Sequence, residues 1–166
     1  MKIKLLDLEF SNDHFYIQTN SIVEKITFNN RTFYSKFQKV TTPLTPLLLQ
    51  QHQEGEVTLA LSLIEEDIVN YVIIEYHQED WAIFYALLKS LFKSLAIQSY
   101  QSYHNPKEGL FQIFISTPNR PLKEAYSLVE KIKHLLELKS NKSYKIYPNK
   151  FLPKNQNIIT LPIKKT

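Results

Sequence analysis

The chain has no cysteine and only two glycines among its 166 residues. Without cysteine, disulfide bonds and thiolate metal sites are excluded. Two glycines cannot form a glycine-rich phosphate loop, which excludes P-loop and dinucleotide-binding sites. The sequence also lacks an HExxH zinc motif and a serine nucleophile elbow flanked by glycines. Several large enzyme classes are therefore ruled out before any secondary structure is assigned.

Long hydrophobic runs are missing as well. No apolar run approaches the roughly 18 residues of a membrane span. The start, MKIKLLDLEF, meets Asp7 and Glu9 too early for a signal peptide. Together with the lack of cysteine, this predicts a cytoplasmic protein with no membrane partner. The length and the 43% of hydrophobic residues predict one domain, residues 1–166, with a substantial core.

Arginine is scarce, and acidic residues are missing from the end of the chain. The only arginines are Arg31 and Arg120, and no acidic residue follows Glu137. Lysines and aromatic residues alternate there instead: Lys139, Lys142, Tyr144, Lys145, Tyr147, Lys150, Phe151, Lys154, Lys164 and Lys165. Such a segment binds phosphates and stacks on bases, which predicts single-stranded DNA or RNA as a partner. The alternative is a solvated lysine-rich surface, since arginine is the usual specific contact.

The N-terminal part of the sequence is typical of short strands. Residues 2–10 and 15–18 predict two of them, and residues 22–37 predict a hairpin. Asn29 and Asn30 occupy its turn, because asparagine tolerates the positive φ that such turns need. Thr42 and Pro43 predict a helix start, with a short helix over about 46–53 that ends at Gly55.

From residue 57 the predicted order is β-β-α-β-β-α-β-β. Strands are predicted at 57–64, 71–77, 97–104, 110–116, 144–147 and 158–163, and amphipathic helices begin after Asp80 and after Pro121. The first two strands should pair antiparallel across the acidic turn between them. The expected fold is α+β, with helices packed on one face of a mixed or antiparallel sheet. An N-terminal hairpin region, 1–42, precedes this core, 43–166.

The run NYVIIEYH, residues 70–77, is the expected centre of the core. Its apolar part predicts a buried strand, and Glu75 and His77 share a face at its end because they lie two residues apart. A carboxylate and an imidazole together suit Mn²⁺, Fe²⁺ or Zn²⁺, with His104 or Glu79 as a candidate third ligand. The alternative is two polar residues at a strand end, one of them hydrogen-bonded.

Several strings, in this order, resemble the archaeo-eukaryotic primase superfamily, in particular its bacterial primase-polymerase-like members. The resemblance covers residues 44–163. LTPLLLQQHQEGEVTLALSLI is similar to the family's lead-in helix and strand, and NYVIIEYH stands where the family has a strand ending in Asp-x-Asp. SYKIYPNKFLPKNQNIITLPI resembles its closing segment. The matching residues are His52, Gly55, Gly109, Ser143, Tyr144, Pro148, Asn149, Asn157, Leu161 and Pro162.

The resemblance implies an RRM-like core but not the family's chemistry. The paired aspartates that hold two metal ions are replaced by Glu75 and His77, the phosphate-contacting histidine aligns with Phe111, and a further acidic position aligns with Lys145. An apolar ring cannot bond a phosphate, and a lysine repels Mg²⁺. The resemblance therefore implies a primase-like module without polymerase activity.

Such a module is expected to bind nucleic acid, or a replication or repair protein, in its groove. The expected contacts are Glu75, His77, His104, Phe111, Tyr144, Lys145, Tyr147, Lys150, Phe151 and Lys154. One alternative is a divergent metal-dependent nucleotidyltransferase or hydrolase that uses Glu75 and His77. The other is a protein-interaction module without a small ligand.

Overall fold

The computed structural model describes residues 2–166 and has an α+β fold whose sheets are antiparallel. The first part of the chain contains β1 (Lys2–Leu5), β2 (Leu8–Ser11), β3 (Phe15–Gln18), β4 (Glu24–Phe28), β5 (Arg31–Ser35), β6 (Phe37–Val40), α1 (Pro46–Gln53) and β7 (Leu59–Ser62). The remainder contains β8 (Ile68–Tyr76), α2 (Trp81–Ser94), β9 (Tyr100–Asn105), β10 (Leu110–Pro121), α3 (Leu122–Lys139), β11 (Lys145–Tyr147), β12 (Ile158–Thr160) and β13 (Lys164–Lys165), with a short 3₁₀ helix at Lys154–Gln156.

A five-stranded sheet in the order β11-β8-β10-β9-β13 forms the centre of the protein. Its β8-α2-β9-β10-α3-β11 part has the connectivity of the ferredoxin-like split βαβ motif, with β10 inserted between β8 and β9. Helix α3 follows the predicted apolar stripe, since Ala125, Val129, Ile132 and Leu136 are all buried. Helices α2 and α3 contact each other and cover one face of this sheet. The predicted α+β class with helices on one face is confirmed.

The pairing predicted for residues 57–64 was wrong. Strand β7 pairs with β3 and β12 in a separate four-stranded sheet, ordered β12-β7-β3-β6, and does not pair with β8. The turn between β7 and β8 places Glu66 and Asp67 at φ 49° and 59°. The chain therefore leaves one sheet and enters the other there, and the five-stranded sheet begins at Ile68 and not at residue 57.

Two local predictions also need correction. Residues 2–10 form the β1–β2 hairpin and not one strand, because Leu6 adopts φ 58° and reverses the chain. Helix α1 is capped by Thr45, whose hydroxyl accepts a hydrogen bond from the Leu48 amide at 3.2 Å, and not by Thr42. The predicted turn at Asn29 and Asn30 is confirmed, with φ of 50° and 62°.

The buried side chain of His52 connects three segments. Its Nδ1 accepts a hydrogen bond from the Leu59 amide at 3.1 Å, and its Nε2 donates to the Leu161 carbonyl at 2.9 Å. Since an amide can only donate and a carbonyl can only accept, the ring is the neutral Nε2–H tautomer. Burial lowers the pKa of His52.

Within residues 2–166, no helix has the length and apolar character needed to cross a membrane.

Candidate functional site

One row of polar side chains crosses all five strands of the central sheet. Directly paired residues place Lys145, Glu75, Gln112, Tyr103 and Lys165 on β11, β8, β10, β9 and β13 in turn. Paired residues of antiparallel strands point to the same side of a sheet. The row lies on the face opposite α2, because Tyr76, the neighbour of Glu75, stacks on Phe84 of that helix at 4.2 Å between ring centroids.

Glu75 is the buried carboxyl of this row. Its Oε2 accepts a hydrogen bond of 2.9 Å from the Gln112 amide, which also donates to the Thr160 carbonyl at 2.8 Å. Burial raises the pKa of Glu75, while Gln112 and the charge of Lys145 oppose that rise. The acid is therefore protonated more readily than an exposed glutamate.

Gln112 and Tyr103 were not among the predicted site residues. The Gln112 Oε1 and the Tyr103 hydroxyl are buried and have no hydrogen-bond partner among the described residues. Burial raises the pKa of Tyr103 to about 12. A glutamine within the apolar run LFQIFI was the one available sign of a buried polar position in β10.

The site does not bring together the predicted metal ligands. His104 lies on the helix side of the sheet, with its ring 4.4 Å from that of Trp81 and its Nδ1 3.0 Å from the Thr166 hydroxyl. It therefore faces away from Glu75, and its role as third ligand is wrong. His77 is exposed just beyond the end of β8, and partial desolvation and the nearby Lys145 lower its pKa.

The donor set fits a divalent cation poorly. Within residues 2–166, no three histidine, aspartate or glutamate side chains are grouped closely enough to hold a metal ion. A cation at Glu75 would also lie beside the ammonium of Lys145, the residue paired with it. The arrangement favours the alternative interpretation of Glu75, a hydrogen-bonded acid at the end of a strand.

Phe111 belongs to the core and not to a binding surface. It is 2% exposed, and its ring lies 5.1 Å from that of Trp81 and 5.3 Å from that of Tyr85. The strand alternation turns Phe111 toward α2 and turns the next residue, Gln112, toward Glu75. The predicted binding role of Phe111 is therefore wrong.

Asp80 precedes α2, as predicted, but its side chain does not cap the helix. It accepts a hydrogen bond of 2.6 Å from the Tyr76 hydroxyl and forms an ion pair with Lys142. Lys142 and Tyr76 lower the pKa of Asp80, and Asp80 raises that of Lys142. These contacts hold the segment between α3 and β11 against the start of α2.

A groove of about 590 Å³ lies between α3, β11 and the segment that follows β11. Five of the predicted contact residues line it: Tyr144, Lys145, Tyr147, Lys150 and Phe151. Lys133 and Tyr126 of α3 and Phe33 of β5 complete its wall, and sequence analysis missed all three. Lys154 lies outside it and pairs with Asp67 at 2.6 Å. The sequence could not reveal Phe33, because β5 is distant from β11 along the chain, and it could not reveal the residues of α3, because only packing decides which face of that helix meets β11.

The groove is rich in lysine and aromatic side chains. Four lysines and two glutamates line it: Lys133, Lys142, Lys145, Lys150, Glu130 and Glu137. Phe151 is 48% exposed, with the ammonium groups of Lys133 and Lys150 at 5.7 Å and 5.4 Å from its ring centre. Lys150 also lies 3.3 Å from Glu130. Among the described residues, Lys133 and Lys145 form no ion pair.

Two further cavities adjoin the groove. A shallow cavity of about 740 Å³ at the end of β8 shares Lys142 and Ser143 with it. A cavity of about 340 Å³ beneath β5 shares Phe33, Tyr147 and Leu152 with it. The shared lining residues show that both cavities are neighbours of the groove, and the three together are called the track beside β11.

A family model described as a domain of unknown function, DUF1882, matches residues 1–71. The match covers β1 to β7 and the start of β8, which is less than half of the chain. It includes the four-stranded sheet except for β12, and it ends before the groove-lining residues of α3 and β11. No curated protein matches the chain.

Proposed function

We propose that this protein is a non-catalytic primase-like module that binds single-stranded DNA or RNA in the groove along β11. The observation that carries the proposal is the convergence of four lysines and five aromatic side chains on that groove. Residues 142–151 contribute most of them, and α3 and β5 add the others. A solvated lysine-rich tail would not gather these side chains around one concave surface.

The residue types suit a single strand. Lysine ammonium groups neutralise backbone phosphates and release counterions, while exposed aromatic rings stack on bases of any sequence. Phe151 offers an exposed ring beside two ammonium groups, a pairing that matches a base and its phosphate. The scarcity of arginine favours binding with little sequence preference, since arginine makes the commonest specific base contact.

The surroundings of Glu75 support the non-catalytic part of the proposal. Two-metal nucleotidyl transfer needs ionised carboxylates around the cations. Here Glu75, the one buried acid within residues 2–166, accepts a hydrogen bond from Gln112 and is the strand partner of Lys145. The ferredoxin-like strand order supports a relation to the primase-like core, which shares this connectivity.

The test is fluorescence anisotropy with labelled oligo-dT, oligo-dA and oligo-U at increasing salt. A triple variant, K133Q/K145Q/K150Q, should bind much more weakly, and its slope of log K against log salt should flatten by about 2. The control, K89Q/K93Q/K123Q, removes the same charge from helix positions outside the groove. No binding by the unmodified protein at low salt, or equal losses in both variants, would overturn the proposal.

A further inference from the structure

The β4–β5 hairpin lies outside the two larger sheets, as the β1–β2 hairpin does. It forms a two-stranded sheet of its own and shares no ladder with either larger sheet. Among the described residues, one side-chain hydrogen bond joins its strands to the segment after β11, from Gln156 to Glu24 at 3.4 Å. The hairpin is therefore an arm that extends from β3 and β6.

One face of this arm closes the track beside β11. Ile26 and Phe33 are paired residues on that face, and both line the cavity of about 340 Å³. Phe33 also lines the main groove, so it stands where the two cavities meet. Tyr147 and Leu152 form the opposite wall of the same junction.

The basic residues of the arm are not all on the face that carries Phe33. Arg31 and the acidic Glu24 share that face, Lys25 lies on the opposite face, and the exposed Lys36 that follows β5 lines the cavity of about 340 Å³. Phe33 itself is only partly buried, which leaves part of its ring available to a ligand in the groove. A partly exposed aromatic ring near a lysine that lines the same cavity, Phe33 and Lys36, is complementary to a base and its phosphate.

We infer that a bound single strand continues from the β11 groove beneath the β4–β5 hairpin and that Phe33 stacks on one of its bases. The inference rests on the proposed function and deepens it, because it assigns a second wall to the binding surface. It also extends the contacts into the segment matched by the DUF1882 model, which contains the whole hairpin.

The first experiment compares F33A with F28A in the anisotropy assay. Phe28 is the same residue type on the same hairpin face but lines neither cavity. Loss of one base stack should weaken binding by F33A about 5- to 100-fold, while F28A binds as the unmodified protein does. F33W should retain binding, and circular dichroism should show that all three variants are folded.

The second experiment uses photo-cross-linking with 5-iodouracil-substituted oligonucleotides followed by trypsin digestion and mass spectrometry. Cross-links should appear on the tryptic peptide 32–36, which contains Phe33, as well as on 151–154, which contains Phe151. Cross-links on 151–154 alone, with F33A binding normally, would overturn the inference and leave the proposed function intact. Failure of the unmodified protein to bind any oligonucleotide would instead remove the proposed function.

Discussion

Glu75 and Lys145 face each other as paired residues of β8 and β11, one buried and the other exposed. The glutamate is 7% exposed and belongs to the buried polar row, whereas the lysine lines the groove. The boundary between the core and the proposed binding surface therefore passes between these two side chains.

Replacing Glu75 by glutamine should stabilise the protein above neutral pH. Because burial raises the pKa of Glu75, its contribution to stability is fully present below the pKa of the unfolded chain and is lost as pH rises through the folded pKa. Glutamine has no such loss. We expect E75Q to gain about 1 kcal/mol in urea unfolding at pH 8 and nothing at pH 4. The exposed E56Q is the control, and an equal gain at both pH values would contradict the argument.

The contribution of His52 to stability should be lost as pH falls, whereas that of Glu75 is lost as pH rises. The pKa of His52 is lowered by burial, so its contribution is present above the pKa of about 6.5 of a free histidine and is lost as pH falls below it. H52A should cost about 2–3 kcal/mol at pH 8, since the buried Leu59 amide loses its partner. Its unfolding should also depend less on pH between 7 and 5. H134A, at an exposed position of α3, should behave as the unmodified protein.

Alanine substitutions of Phe111 and Phe151, the two phenylalanines predicted as contacts, should have different effects. Loss of the Phe111 ring should lower stability, and loss of the Phe151 ring should weaken binding. F111A leaves a cavity beside Trp81 and Tyr85 and should lower the free energy of unfolding by about 3–5 kcal/mol. F151A removes an exposed ring and should leave stability within about 0.5 kcal/mol while weakening oligonucleotide binding. Thermal unfolding and fluorescence anisotropy of both variants test this prediction. If F111A is as stable as the unmodified protein but fails to bind oligonucleotides, Phe111 contacts the ligand and is not only a core residue.

Tyr103 and Tyr76 should respond in opposite ways to loss of the hydroxyl. The Tyr103 hydroxyl is buried without a partner, so Y103F should raise stability by about 1 kcal/mol. The Tyr76 hydroxyl donates to Asp80 at 2.6 Å, and Y76F should lower stability by about 1–2 kcal/mol. Urea unfolding of the two variants gives the comparison. A loss in Y103F would mean that an ordered water satisfies the hydroxyl.

Local sequence patterns determined much of the secondary structure. The recurrence of Leu122, Ala125, Val129, Ile132 and Leu136 predicted α3, and paired asparagines predicted the β4–β5 turn. Both signals act over a few residues, through helical periodicity and the tolerance of asparagine for positive φ. The lysine and aromatic residues of 144–151, which line one groove, were also grouped together from the sequence, because they are close neighbours in the chain.

Long-range packing decided which of these residues share a surface. Whether β7 joins β8 or β3 depends on partners more than 40 positions away in the sequence, and Phe33 of β5 reaches the groove from a similarly remote part of the chain. Lys133 is closer in the chain, but only the packing of α3 shows that it lines the groove. Alternation along β10 is a local property, but only the position of α2 shows that Phe111 is inside the core and that Gln112 faces Glu75. A strand has two faces, and the tertiary structure alone determines what covers each of them.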